Sequence, residues 1–386
     1  AKAYRMRDGT PHDDAIETIR SGMFIMPFHD PAKPLAQCYD EDLELIARAE
    51  QLGFAEFWIG EHHTMKYETI VMPEIFIARA LGETRRIRLG PAPVCLQQHH
   101  PAHVASRLAF LDHLSKGRLN LCFGAGSVTA DQELYGIDPK QGQAMVDEAV
   151  EIILKLWASD PPYEYQGKFW QISLKKYVDP ETGIGFIHKP LQRPHPPIAM
   201  PAMSRNSPTM KAAGAQGYQP FSHCLVTANV LADQWQTYEA AAWEAERKPN
   251  RADWKVCRSI FLADTTAEAR RRARTNSLGR NYEYIGTLFD RGLGRKIYKR
   301  DLAMSDADCN LDFLMGEQII AGDVDEVLRR LLAMIDETGT FGTLVLMSYD
   351  WDDKESWLHS MELFAKELMP ALNKAVGAGT VASVGR

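Results

Sequence analysis

The chain has 386 residues, 45% of them hydrophobic and 25% charged, with a net charge of −7. That is ordinary globular composition, and the length allows either one large α/β barrel or two medium domains with a core that needs no crosslinks. No long basic run is present, and Arg270-Arg271-Arg272 lies in a helical pattern that also carries acids, which argues against nucleic acid as a partner. No apolar run approaches membrane-spanning length, the amino terminus has no apolar signal core, and the six scattered cysteines form no CxxC; these features predict a reducing, cytoplasmic setting without a membrane.

Strand-like segments are predicted at 23–26, 55–59, 87–95, 119–123, 197–200, 217–221, 255–262 and 342–347. Helical patterns separate them, and this alternation favours a single closed (β/α)8 TIM barrel over an open sheet. Asp40 is placed as the cap of a helix that stops at Gly53. Thr265-Thr266-Ala267-Glu268 is a capping box, and Asp323-Val324-Asp325 opens a helix that stops near Gly339. Two segments break the rhythm. Residues 160–197 are proline-rich and read as an excursion before strand 5, with a hairpin near 179–185. Residues 275–312, between strands 7 and 8, are rich in Gly, Arg, Tyr and Asp with weak periodicity. They read as a mobile lid or as a permanently packed insertion. The Gly/Ala/Val/Ser tail over 374–386 is expected to fray from a barrel domain spanning 1–373.

Glu61-His62-His63 follows the second strand, at the rim where barrel enzymes carry their chemistry. A histidine there can serve as an acid or base oriented by the neighbouring carboxylate, although two surface histidines capping a strand fit the triplet equally well. Gly124-Ala125-Gly126-Ser127 is a small-residue turn after a strand, either a plain tight turn or a place where amides approach an anion. The second anion candidate is Ser204-Arg205-Asn206-Ser207-Pro208-Thr209, which leaves a strand and opens a helix with Ser207 as cap and Pro208 at its first position. Ala92-Pro93 interrupts the third strand, as a bulge or a cis bond. Trp351 lies after the last strand, lining a pocket or sealing the barrel edge. His99, His100 and His103 have metal-like spacing, but no Cys or carboxylate cluster joins them in the sequence, and no metal is expected.

Together, Gly53-Phe54, Trp58, Glu61-His62-His63, Gly90, His100-Pro101, Leu111-Asp112, Ser115-Lys116-Gly117-Arg118 and Tyr135-Gly136-Ile137-Asp138 resemble the bacterial luciferase-like flavin monooxygenases. The resemblance runs through 204–217 to Gly339, Phe364 and Met369-Pro370, and spans most of 23–373. Asn206-Ser207-Pro208, Phe341-Gly342-Thr343-Leu344 and Tyr349-Asp350-Trp351 look closest to the branch with diketocamphane and limonene monooxygenases.

The resemblance implies a two-component enzyme in which a separate NAD(P)H:flavin reductase supplies reduced FMN. Oxygen adds at the flavin C4a carbon, and one atom of O2 passes to a small apolar substrate, terpenoid or cyclic ketone. It makes His62, with Glu61, the active-site pair and Ala92-Pro93 a cis peptide beneath the flavin ring. Residues 124–127 and Ser204, Arg205, Asn206, Ser207 and Thr209 become cofactor contacts, and Phe28 and Trp351 pocket walls. The luciferase phosphate-binding arginine falls at Ala125, so Arg205 or backbone amides must meet the phosphate. A homodimer is the usual assembly. The same barrel also admits a deazaflavin-dependent dehydrogenase, or a non-catalytic subunit of a heterodimer.

Overall fold

In the computed structural model the described residues are 16, 18–26, 28–292 and 294–384, with side chains described as far as residue 377. The chain begins with β1 (Arg20–Ile25), α1 (Leu35–Gln51), β2 (Glu56–Ile59), α2 (Pro73–Ala80), β3 (Arg88–Pro91) and β4 (Val94–Cys95). It continues through α3 (Pro101–Leu114), β5 (Leu121–Gly124), α4 (Thr129–Leu134), α5 (Gly142–Ala158), the hairpin strands β6 (Tyr163–Gln166) and β7 (Gln171–Leu174), then β8 (Ile198–Ala202). Next come α6 (Pro208–Gln216), β9 (Gln219–Ser222), α7 (Ala228–Glu244), β10 (Lys255–Leu262), α8 (Thr266–Thr275), α9 (Ser277–Asp290) and α10 (Leu311–Glu317). The last elements are β11 (Ile319–Gly322), α11 (Val324–Thr338), β12 (Thr343–Ser348), α12 (Lys354–Leu363) and α13 (Met369–Val384).

The strands pair in parallel in the order β3-β2-β1-β12-β10-β9-β8-β5-β4. A parallel bridge between Leu89 and Leu119 joins β3 to the segment entering β5 and closes the ring. The expected (β/α)8 barrel is thus observed, with β3 and β4 as two halves of its third strand. The buried apolar side chains from Ile16 to Val376 form one continuous core. β2, β5 and β10 are buried along their whole length, as strands covered by helices outside and by barrel filling inside must be.

Several expectations change in detail. Asp40 caps nothing: α1 begins five residues earlier, after Pro34, whose fixed φ of −58° suits a helix entry. The stop at Gly53 holds, with φ +84°. Thr265, Asp323 and Ser207 each cap the helix assigned to them, their side chains accepting from the backbone N–H of Glu268, Glu326 and Met210. The 160–197 excursion does turn at 179–184, where Asp179 and Ile184 exchange backbone bonds of 3.0 and 3.1 Å, but its main hairpin is β6–β7.

β11 went unread because Ile319-Ile320-Ala321-Gly322 is too short to show a period, and its pairing is entirely tertiary. It takes Ser259–Leu262, the half of β10 that β12 leaves free. The 275–312 segment contains α9, whose inner face buries Ser277, Leu278, Asn281, Tyr282 and Ile285. That spacing is helical, but polar residues and glycines share the face, which hid the period from a hydrophobicity reading. The backbone of 374–384, expected to fray, continues α13 past the buried Val376, and residues 385–386 lie outside the described residues.

The lower barrel is filled by a polar group. Lys255 of β10 meets Glu56 of β2 at 3.0 Å with both side chains buried, and Trp58 Nε1 donates to the same carboxylate at 3.0 Å. Trp58 in turn leaves no room for a side chain on β3, because a Cβ at Gly90 would lie 2.7 Å from its ring. Removing one partner of a buried pair strands the other charge, at a cost of ~3–5 kcal/mol, whereas replacing both with apolar groups is often neutral. Glu56→Ala is therefore expected to destabilise the fold by about that amount in denaturant titration, and Glu56→Leu with Lys255→Met by much less.

Candidate active site at the barrel rim

β2 ends at Ile59 and delivers Glu61, His62 and His63 to the carboxyl-terminal rim, where three other segments meet them. The Glu61 side chain is fully buried, and its Oε1 accepts from His63 Nε2 at 3.0 Å and His99 Nε2 at 2.7 Å. Its Oε2 accepts the backbone N–H of Cys95 at 3.0 Å, which ties the second strand's rim to the third's. Burial opposes ionisation of Glu61, but the two histidines and the Cys95 amide outweigh it and hold its pKa at about 2. Tyr135 Oη lies 3.0 Å from His63 Nδ1.

His99, read from sequence as having no acidic partner, thus has one in Glu61. Ligand atoms of Glu61, His63 and His99 lie within 4.8 Å of one another. Each is engaged in the hydrogen bonds just described.

His62 has a different environment. Its Nε2 sits 3.0 Å from Glu68 Oε2, in the loop after β2, and its Nδ1 sits 3.7 Å from Asp131 Oδ2, on α4. Asp131 also accepts from the His63 amide at 3.2 Å and from the Thr64 hydroxyl at 2.5 Å. Burial disfavours the imidazolium, yet Glu68 and Asp131 prevail and raise its pKa from 6.5 to about 10. At neutral pH His62 is therefore a cation that can donate a proton, rather than a free base. Its Nδ1 is buried without a hydrogen bond.

The predicted flavin contacts gather on the neighbouring strands. Ala92-Pro93 is a cis peptide at the β3–β4 junction. A Cβ on Gly124 would meet Pro93 at 3.1 Å and Pro201 at 3.2 Å, so a side chain there would crowd those two strand ends. Gly126 has φ +63°, and Ser127 is exposed beside it. Gln97 Nε2 bonds the Ala125 carbonyl, and Gln97 Oε1 is buried without a partner.

At α6 the Ser207 and Thr209 hydroxyls lie 2.8 Å apart, and Thr209 donates to the Pro201 carbonyl at 2.5 Å. Asn206 takes φ +44° and gives its amide to Asp233 at 2.7 Å, next to the exposed Ser204. The Arg205 guanidinium donates to the Arg300 carbonyl at 3.0 Å, in the insertion before β11.

An aromatic wall stands over the rim. Phe28 stacks on Tyr67 with ring centroids 5.0 Å apart, and Tyr284 of α9 lies 4.3 Å from Tyr67 and 5.4 Å from Phe28. Trp351 is buried separately, under the Lys354 ammonium at 4.9 Å. Glu68, Gln97, Asp131 and Tyr284 carry no sequence motif that marks them as site residues. The one available signal was Glu68, a lone carboxylate six residues beyond His62. A cavity of about 370 Å³ between α8 and α12, lined by Arg271, Arg272, Asp353 and Trp357, contains none of these rim residues.

With this geometry in view, comparison with known proteins is decisive. The luciferase-like monooxygenase profile matches residues 19–340. The chain belongs to the luciferase-like monooxygenase family. It is 29% identical to the 3,6-diketocamphane 1,6-monooxygenase of Pseudomonas putida, over 92% of this chain and 98% of that one. It is 33% identical to the 4-hydroxyprotoasukamycin monooxygenase of Streptomyces nodosus subsp. asukaensis, over 96% of each. It is 30% identical to the limonene 1,2-monooxygenase of Rhodococcus erythropolis, over 94% of this chain and 89% of that one. The solved structure of the oxygenating constituent of the Pseudomonas putida 3,6-diketocamphane monooxygenase, a type II Baeyer-Villiger enzyme in complex with FMN, superposes with a TM-score of 0.84 at 29% identity, covering 92% of this chain and 98% of that one. The family and branch expected from the sequence are thus the ones found, and no described helix is long and apolar enough to cross a membrane.

The rim charges make stability depend on pH in a defined way. His62 and His29 are held above 6.5, at about 10 and about 9. Their contribution is complete below pH 6.5 and is lost as pH rises through those values. Glu61 and Asp131, held at about 2, contribute above their ordinary values of 4.5 and 3.8 and lose that contribution as pH falls through 2. Chemical denaturation across pH should therefore show a plateau between pH 4.5 and 6.5, falling slowly on the alkaline side through pH 10. A midpoint still rising at pH 9 would contradict this charge assignment.

Proposed function

We propose that the chain is the oxygenase component of a two-component system. Reduced FMN from a separate NAD(P)H:flavin reductase would be used with O2 to place one oxygen atom in a small apolar substrate, a cyclic ketone or terpenoid. The observation that carries this reading is His62 held between the Glu68 and Asp131 carboxylates at the barrel rim that also carries the cis Ala92-Pro93 junction and Gly124 against it.

The residues present fit the flavin. Gly124 lets the ends of the third and fifth strands close up around Pro93 and Pro201, and the unpartnered buried polar atoms His62 Nδ1 and Gln97 Oε1 suit a polar ring system. Ala92, Pro93, Gly124, Ala125, Gly126 and Ser127 would lie against the ring. Ser204, Arg205, Asn206, Ser207 and Thr209, at the positive end of α6, would hold the phosphate. When bound, reduced FMN supplies the two electrons that activate O2.

The chain's own contribution is electrostatic and steric. His62 presents a proton at Nδ1 and a fixed positive charge where negative charge develops on oxygen. Glu61 keeps His63 and His99 in place behind it. Phe28, Tyr67 and Tyr284, with Trp351 on the last strand's side, offer apolar surface to the substrate and exclude water from the reacting groups. His62→Ala should fold, retain flavin and lose ~10²–10⁴-fold in oxygenation. The assay supplies reduced FMN, O2 and a panel of cyclic ketones and monoterpenes, with product read by mass spectrometry. Direct oxidation of NADH by the purified chain would contradict the two-component assignment, and wild-type coupling in His62→Ala would leave His62 a wall residue.

We propose further that the enzyme is a homodimer joined through α2 and α3. α2 and α3 pack together and expose Ile75, Phe110 and Leu114, at 68, 65 and 49%, with Val71 exposed at 50% just before α2. Phe110 and Leu114 share one side of α3, and large exposed apolar patches mark association surfaces. Phe110→Glu should move the protein from dimer to monomer in sedimentation without loss of helical signal, and an unchanged mass would place the interface elsewhere.

A further inference from the structure

The aromatic wall and the His62 ion pair are built from one stretch of chain. Tyr67 and Glu68 are adjacent in the loop after β2. Tyr67 packs in a three-ring cluster with Phe28 from the loop after β1 and Tyr284 from α9, the Phe28 and Tyr284 rings also meeting each other at 5.4 Å. The backbone is fixed at the same place, because His29 N–H donates to the Tyr67 carbonyl at 2.6 Å and Phe28 forms an antiparallel bridge with Glu68. Glu68, buried at 6% exposure, then places its carboxylate 3.0 Å from His62 Nε2. α9 itself is anchored inside the barrel, where Tyr282 Oη lies 2.9 Å from Ser259 Oγ of β10.

We propose that Glu68 is a positioning residue for His62, and that the stack of Tyr67 on Phe28 and Tyr284 sets where Glu68 stands. The apolar wall a substrate would touch and the group that would serve its oxygen transfer then form one mechanical unit. A substrate that displaces Tyr284 or Phe28 also shifts the carboxylate that orients His62. The wall therefore selects for shape twice, through contact and through the state of the histidine. This rests on the flavin oxygenase reading given above for the role of His62, but the coupling itself is a property of the flavin-free chain.

The groups facing His62 separate this route from others. Asp131 approaches His62 from α4, Glu61 and His63 flank it in sequence at the strand end, Tyr135 just after α4 meets His63 rather than His62, and His99 stands behind Glu61. None of the hydrogen bonds, ion pairs or ring contacts of these groups among the described residues joins one of them to Phe28, Tyr67 or Tyr284. Tyr284 makes its ring contacts with Phe28 and Tyr67, and its hydroxyl also feels the Glu68 carboxylate, so its effect on His62 runs through the Tyr67-Glu68 segment, by packing and by charge.

The test uses full-length, flavin-free protein with 15N-labelled histidine, the His62 signal being assigned with His62→Gln. Its titration midpoint is followed in wild type, Glu68→Gln, Tyr284→Ala and Tyr284→Phe. An opposite charge at this distance shifts a pKa by about 1–3 units, so Glu68→Gln should lower the midpoint by about one pH unit or more. Tyr284→Ala should lower it in the same direction by less, and Tyr284→Phe, which keeps the ring, should restore it. An unmoved midpoint in Glu68→Gln overturns the positioning role. A shift in Glu68→Gln with none in Tyr284→Ala overturns the coupling.

In turnover with reduced FMN and O2, Glu68→Gln should lower kcat about tenfold, the equivalent of one pKa unit, with substrate KM unmoved and part of the loss recovered by Glu68→Asp. A change confined to KM overturns the proposal. Both midpoint shifts in a protein that oxygenates nothing would end the oxygenase reading and leave the coupling standing.

Discussion

The rim of this barrel is organised around one buried anion. Glu61 has no exposed side-chain surface, and it survives as a carboxylate because three donors from two strand ends converge on it. An ionised carboxylate in such a place is costly unless every lone pair is used, and here each oxygen has a partner. In satisfying it, His63, His99 and the Cys95 amide fix the relative positions of the second and third strands' loops. His62 follows because it is the next residue in the chain: with Glu61 anchored inward, its side chain is delivered to Glu68 and Asp131. The charge on His62 is therefore a consequence of how Glu61 is buried as well as of its own partners.

Asp131 extends the same constraint toward the proposed cofactor side. It stands on α4, a few residues after the Gly124–Ser127 turn, accepts hydrogen bonds from the His63 amide and the Thr64 hydroxyl, and faces His62 Nδ1 as a charge 3.7 Å away. Glu68 extends it toward the proposed substrate side. A histidine gripped by two carboxylates from separate elements is limited in orientation, which is the arrangement that preorganised electrostatic catalysis needs. A second buried network, His29 between Asp350 at 2.7 Å and Asp42 at 3.0 Å, ties the loop after β1 to the last strand and to α1. It steadies the loop that carries Phe28, and so the wall and the acid rest on two separate sets of buried ion pairs.

The insertion between the seventh and eighth strands fits this scheme as packed structure. α9 is held from inside the barrel by Tyr282, while Tyr284, two residues on, reaches the aromatic wall. Motion of the whole helix would break a buried hydroxyl contact. Tyr284, by contrast, is held in the wall by its ring contacts with Phe28 and Tyr67.

The linear sequence determined the barrel, its third-strand interruption at Ala92-Pro93, most helix caps and the placement of Glu61-His62-His63 at a strand end. Each of these depends on local chemistry or on a period visible within a dozen residues. The rim histidine and the α6 turn were legible for the same reason. Tertiary structure alone decided which groups His62 meets, because Glu68 and Asp131 lie 6 and 69 residues away and acquire their meaning only when α4 and the loop after β2 fold onto one rim. It also decided that His99 has an acidic partner, that β11 is a strand, and that α9 is a helix with a half-polar buried face. In each case the determining interaction joins residues far apart in the chain, and no local pattern encodes a contact whose other half is supplied by another element.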